Sequence, residues 1–230
     1  MIAPPSIAVV LILTIIALLS GCKLTPTDMP ADTTEDGLVR TSVKGIDYAY
    51  VRPGSSLAPY RRILLDPVEV AFSKDWDPER TGSRVKLSGE EREKIRADLS
   101  SLFMKTFKQE VEKGGYAVVE GSAPDVLRVT PRLTDVYINA PDVMTPGRTR
   151  TYVMNAGRMT LVAELRDSET GAILARVADQ REAREETTLQ LSSGVENSAE
   201  ARRMIAEWAR ILRARLDAVR MQSEPVKPSQ

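Results

Sequence analysis

Residues Gly157–Ala183 read GRMTLVAELRDSETGAILARVADQREA. Met159, Leu161, Ala163 and Leu165 fall on alternate positions, with Arg158, Thr160, Glu164 and Arg166 between them, which is the period of a half-buried strand. Asp167-Ser168-Glu169-Thr170-Gly171 has turn chemistry, and Ala172–Ala183 supplies a second extended run that returns beside the first. A hairpin of this kind is apolar on one side only, so the fold must provide a layer to cover that side.

Two segments have the pattern of such a layer. Ser88 with Glu91 three residues later forms a capping box. Ile95, Leu99, Leu102, Phe103, Phe107 and Val111 then recur at spacings of three and four, and Gly114-Gly115 stops the helix. Ser198 is placed to cap a second helix, with Met204, Ile205, Trp208, Ile211, Leu212, Leu216 and Val219 as its apolar stripe.

The other extended runs lie upstream of the hairpin. Ile63–Phe72 reads as a strand in which Pro67 lacks a ladder donor, so an edge position or a bulge is expected there. Tyr116–Val119 is a short strand, and Val126–Tyr137 is another, expected to break at Pro131. Ser73–Leu87, Asn139–Asn155 and Thr187–Asn197 read as loops. These elements predict a two-layer α+β domain over residues 58–221. Its sheet has about five strands, is mainly antiparallel and carries the two amphipathic helices on one face, with a parallel arrangement open to the first strand–helix–strand unit. The polar end, 222–230, is expected to be a disordered tail.

The N-terminus has a different character. Ile7–Leu19 is nearly all Ile, Val, Leu and Ala. About 13 helical residues reach about 20 Å, short of a bilayer core of about 30 Å. The run ends in Leu19-Ser20-Gly21-Cys22, which is similar to the lipobox read by lipoprotein signal peptidase. The expectation is a signal peptide over 1–21, cleavage between Gly21 and Cys22, and acylation of the Cys22 thiol. No Lys or Arg precedes the apolar run, so the positive end of the signal is the terminal amine alone. Two acyl chains give stable anchoring. Position 23 is Lys rather than the Asp that retains lipoproteins on an inner membrane, which favours the outer membrane with the body facing the periplasm. Residues 22–57, rich in Thr, Pro, Asp, Gly and Ser, read as the acylated cysteine and a flexible tether spanning about 30 Å, with Ile46–Val51 able to make a short extended contact with the body.

Composition excludes several classes. Lys+Arg and Asp+Glu are balanced at 32 each, without the basic excess of a nucleic-acid binder. There is no histidine, which removes the commonest general base and metal ligand, and one cysteine supports neither an internal disulfide nor a thiolate metal site. No G-x-S-x-G elbow and no glycine-rich phosphate loop occurs. Ser101 and Lys105 are four apart on an ordinary amphipathic helix. No cofactor and no metal is expected.

Several segments, in order, carry a family resemblance: Tyr60-Arg61-Arg62-Ile63-Leu64-Leu65-Asp66-Pro67-Val68-Glu69-Val70, Trp76-Asp77-Pro78, Pro124–Val129 with Leu133-Thr134-Asp135-Val136, and Glu164–Gly171. With a closing helix that carries Trp208, they resemble the DUF3313 family of bacterial lipoproteins. The resemblance spans nearly the whole mature chain and implies an envelope lipoprotein without an assigned activity.

Some side chains remain as candidate contacts. Asp66, Glu69, Asp75, Asp77 and Glu79 offer a carboxylate pair for glycan hydrolysis or a cation site. Against this, positions 66 and 69 point to opposite faces of a regular strand, and a calcium loop starting at Asp75 would hold Arg80 and Lys86 where Gly and Glu are required. Arg202, Arg213 and Arg220 share one angular position on the last helix, a stripe that could meet anionic head groups. Glu200, Glu207 and Asp217 interrupt it, as on a solvated face. Trp76, in a polar loop, could be a contact residue or tuck against the sheet, whereas Trp208 belongs to the core. The functional expectation is a non-enzymatic accessory or binding module on the periplasmic side, meeting the membrane through Cys22 and an envelope protein or polymer through its body. The alternative is a cell-wall or glycan hydrolase using carboxylates between Asp66 and Glu79.

Overall fold

The computed structural model describes residues 32–76, 88–139, 155–183 and 194–223. In chain order they form β1 (Val39–Val43), β2 (Ile46–Val51), β3 (Arg62–Leu65), β4 (Glu69–Phe72), α1 (Gly89–Glu112), β5 (Ala117–Val119), β6 (Val126–Asn139), β7 (Asn155–Asp167), β8 (Ile173–Glu182) and α2 (Gly194–Ser223). The signal segment 1–21, Cys22, the tether as far as residue 31, Asp77, Glu79 and residues 224–230 lie outside the described residues.

The hairpin forms as its alternation requires. β7 and β8 run antiparallel, with Thr160 opposite Gln180 and Leu165 opposite Ala175. The Asp167 carboxylate accepts the backbone N–H groups of Glu169 and Thr170 and the Thr170 hydroxyl, and Gly171 adopts φ 71°, a left-handed conformation that costs glycine little. Met159, Leu161, Ala163 and Leu165 are buried, while Arg158, Thr160, Glu164 and Arg166 face outward.

The sheet is larger and more mixed than the expected five, mainly antiparallel strands. It has eight strands in the order β1-β2-β8-β7-β6-β3-β5, with β4 also pairing β6. Two of the extra strands come from the stretch read as tether. The chain joins the sheet from Asp32, where Thr33 bridges Val39 and the Arg40 N–H donates to the Asp32 carbonyl. β1 and β2 form a tight hairpin through Lys44-Gly45, with Gly45 at φ 82°, and β2 then pairs antiparallel with β8. This hairpin buries only Ala49 along its strands, so its sequence lacks the apolar face that announces the other strands.

The third extra strand comes from Pro67, which divides Arg62–Phe72 into β3 and β4. Both pair in parallel with β6, Leu65 opposite Val129 and Glu69 opposite Arg132, so one surplus residue bulges between them. β3 also pairs in parallel with β5, making the first strand–helix–strand unit parallel. Pro131 does not break β6, which continues to Asn139. The Val129 carbonyl accepts the Asp66 N–H, so the main-chain groups of Val129 point toward β3. Two residues on, Pro131 points the same way, into the gap between β3 and β4 where no ladder donor is needed.

Both helices cover the inner face of the sheet. α1 carries the full capping box, with the Ser88 hydroxyl accepting the Glu91 N–H and the Glu91 carboxylate accepting the Ser88 N–H. It buries Ile95, Leu99, Phe103, Phe107 and Val111 as its periodicity requires. α2 begins at Gly194, one turn before Ser198. It runs past Met221 to Ser223, so the helix takes the first two residues of the expected tail. The core joins Ile63, Leu127, Leu133 and Met159 of the sheet to Leu99 and Phe103 of α1 and Met204 and Ile205 of α2, none more than 1% exposed. Each such side chain stabilises the fold by about 1.5–3 kcal/mol.

Candidate functional site

Among the described residues no helix covers the outer face of the sheet, which is a lattice of ion pairs. Arg128, Thr130 and Arg132 stand there between the buried Leu127, Val129, Pro131 and Leu133. Asp66 accepts Arg128 Nε at 2.8 Å and Thr130 Oγ1 at 2.6 Å, and Glu69 accepts Arg132 Nε at 3.0 Å. Both carboxylates therefore lie on this one face. A regular strand would have separated them, and the surplus residue at Pro67 restores them to the same side. Elsewhere on the face Glu164 lies between Arg166 and Arg176, and Arg176 also reaches Asp36 at 3.1 Å. Asp75 pairs with Ser73 and with Arg158 at 3.5 Å, and Arg62 grips Asp125.

Burial raises the Asp66 pKa, but the hydrogen bonds from Arg128 and Thr130 outweigh it and hold the carboxyl below its usual range. Glu164 shows the same balance between burial and the hydrogen bonds of Arg176 and Arg166. Hydrogen bonds from Ser73 and Arg62 lower Asp75 and Asp125. These groups are ionised at neutral pH, whereas the acid of a glycosidase pair needs a raised pKa. Among the described residues no three carboxylates gather closely enough to hold a metal ion.

The other candidate contacts are placed as follows. Trp76 is not an exposed contact: it is 6% exposed, donates Nε1–H to the Ile138 carbonyl at 2.8 Å, and stacks on Phe72 at 4.3 Å. The arginine stripe is not a free basic face either. Arg213 donates to the carbonyl and carboxylate of Glu110 at 3.1 and 3.3 Å, and Arg220 bonds Asp217 and lies over the Tyr116 ring. Both therefore fasten α2 to the end of α1 and to the residue before β5. Arg202 is exposed. Asp77, Gly21 and Cys22 fall outside the described residues.

Two features escaped the sequence reading. One is Asp179 on the inner side of β8. It is 4% exposed and accepts Trp208 Nε1 at 2.7 Å, Arg181 Nε at 2.8 Å and the Asp47 N–H at 3.0 Å, tying α2, β8 and β2 together. A lone Asp among Ala, Val and Gln gives no periodic signal, although a polar residue on the inward phase of β8 was readable.

The other is an apolar cleft of about 290 Å³ between α2 and the inner face of β1, β2, β7 and β8. Its floor is made of Ala49, Ala163 and Ala175, with Leu161 and Val177 beside them, and its roof is Ile211, Leu212 and Val219 of α2. The alanines leave space that a larger residue would fill. The exposed lining is Thr41, Ser42, Val51 and Arg215. Sequence periodicity marks each of these apolar residues as inward-facing but cannot say where facing layers fail to meet.

Several solved structures match much of this chain at low similarity. Two PelC dodecamer structures from Paraburkholderia phytofirmans match with 13% identity and TM-scores of 0.38 and 0.35; the matches cover 73% and 76% of this chain and 97% and 96% of those chains. A Caulobacter crescentus protein with a provisional lipoprotein name matches with 14% identity and a TM-score of 0.35, over 74% of this chain and 96% of that one. No curated protein matches the sequence. The family of proteins of unknown function DUF3313 matches residues 33–212, from the strap before β1 to the middle of α2. On that match over most of its length, this chain belongs to the DUF3313 family.

Proposed function

We propose that this protein is an envelope lipoprotein, held on the periplasmic face of the outer membrane by acylated Cys22, whose body binds an envelope protein or polymer rather than catalysing a reaction. The observation that carries the reading is the order of residues 7–22: an apolar run too short to span a bilayer, small residues, then cysteine at the position the lipobox requires. The state of the carboxylates supports the binding half. Asp66 and Glu69 share a face, each paired with its own arginine, and the hydrogen bonds to Asp66 hold its carboxyl below the usual range, away from what a proton donor needs. In this reading the acyl chains on Cys22 supply the attachment; among the described residues no helix is long and apolar enough to cross a membrane.

Intact mass spectrometry of the protein isolated from membranes tests the anchor. The expected species begins at Cys22 and carries two or three acyl chains; a chain beginning at Met1 or bearing a free thiol refutes it. Crosslinking in intact cells tests the binding role, with one reproducible partner expected. Asp66→Asn is expected to leave envelope phenotypes unchanged, and loss of a hydrolytic phenotype in that variant would favour the hydrolase instead.

A further inference from the structure

The cleft under α2 is lined mainly by apolar side chains, and among the described residues its lining carries one charge, that of Arg215. α2 has six arginines from Arg202 onward. Arg203 pairs with Glu200, Arg210 and Arg213 with Glu110, and Arg220 with Asp217. Arg202 and Arg215 have no ion pair or hydrogen bond among the described residues, and of these two only Arg215 lines the cleft. Thr41 and Ser42 also line the cleft, and among the described residues no carboxylate does. An apolar slot of this kind is poorly filled by water. A guanidinium at its mouth is suited to a carboxylate or phosphate oxygen.

We infer that the cleft binds a single-chain anionic amphiphile, with its alkyl tail lying between α2 and the alanine floor of the sheet and its acid group on Arg215. A fatty acid has the required chemistry. Tail burial against Ala163, Ala175, Val177 and Ile211 supplies affinity, and Arg215 with the Thr41 and Ser42 hydroxyls fixes which end faces water. The inference stands whether or not Cys22 is acylated, because it uses only the body of the protein.

The test uses the full-length chain in a steroid-based detergent, chosen because it has no flexible tail. A twelve-carbon fatty acid carrying a diazirine in its tail is photolysed with the protein, and the labelled residues are mapped by mass spectrometry. Labelling is expected at cleft residues such as Val177, Ile211 and Leu212, and excess dodecanoate should abolish it. Dodecanol, which has the tail without the charge, should compete about tenfold less well, as should dodecanoate against Arg215→Glu, the loss of one charge-assisted contact. Arg215→Lys should retain most of the affinity. Ala163→Leu, which fills the floor, should remove labelling; Arg215→Glu alters an exposed position and keeps the test open should the core variant misfold. Labelling scattered over the surface, labelling indifferent to dodecanoate, or equal competition by dodecanol overturns the inference. So does a cleft crosslinked to the chain's own N-terminal segment. If the cleft fails while Cys22 proves acylated, the anchor reading survives without it.

Discussion

Consider the substitution Asp179→Ala. The carboxylate is 4% exposed and accepts three donors, from Asp47, Arg181 and Trp208. Removing it leaves the Trp208 indole N–H and the Asp47 backbone N–H without their acceptor, at about 1–3 kcal/mol for each that stays buried. It also strips the nearest counter-ion from Arg181, whose side chain is 18% exposed, and breaking a buried pair costs about 3–5 kcal/mol. These figures overlap rather than add, and Arg181 keeps Glu207 at 3.4 Å, so the expected loss is about 4 kcal/mol. Asp179→Asn preserves shape and one acceptor oxygen and should lose about half as much. The assay is urea unfolding followed by near-ultraviolet circular dichroism. With a slope of about 2 kcal/mol/M, the midpoint of Asp179→Ala should fall by about 2 M. Trp208→Phe combined with Asp179→Ala should show a coupling of about 1 kcal/mol or more, since both remove one hydrogen bond. The exposed Lys94–Asp98 pair provides the control, with Asp98→Ala expected to lose about 0.3–0.5 kcal/mol. If Asp179→Ala unfolds within 1 kcal/mol of the wild type, like the control, Asp179 does not hold the layers together and the argument fails.

Gly114→Ala should destabilise by about 1–3 kcal/mol, because the new Cβ would sit 2.4 Å from Arg213 Cδ and force that side chain off Glu110; thermal unfolding measures it. Thr106→Val should be neutral or stabilising by about 1 kcal/mol in the same assay, since the Thr106 hydroxyl is the one buried side-chain polar atom without a partner among the described residues. Burial, reinforced by hydrogen bonds to Asp167 and Asp217, pushes Tyr60 and Tyr116 up to about 12. The folded values lie above the ordinary 10.0, so the stability these groups contribute is complete below about pH 10 and is lost as pH rises toward 12. In an absorbance titration at alkaline pH, Tyr60→Phe and Tyr116→Phe should each remove one phenol that ionises late; loss of a phenol that ionises near the ordinary 10.0 would contradict the burial.

The sequence carried those parts of the fold whose signal is local and periodic. The β7–β8 hairpin, the Ser88 capping box and the apolar stripes of both helices were legible because one repeat length determines which residues are inside. β1 and β2 were not, since an edge hairpin that buries little has no reason to alternate apolar with polar residues. Pro131 was misjudged for a related reason, whereas the bulge expected at Pro67 is present. Whether a missing N–H breaks a strand depends on what lies opposite it, which is knowledge about another segment. The candidate site divides in the same way. Residue type alone drew attention to Trp76, Asp66 and Arg213, yet their roles depend on partners 62 to 103 residues away. The cleft is a gap between layers, and no single segment encodes a gap.

The position of Pro131 has a further consequence. β6 is the strand where the parallel half of the sheet meets the antiparallel half, and along its β3–β4 side the proline is a fixed blank in the row of donors. Were β3 and β4 to slide along β6 by two residues, inward side chains would still face inward, so burial alone would scarcely oppose the slip. The blank would then stand opposite a carbonyl that needs a donor, as a notched key opposes the wrong lock. Pro131 thus fixes the alignment of two segments more than sixty residues apart, through a hydrogen atom it does not have.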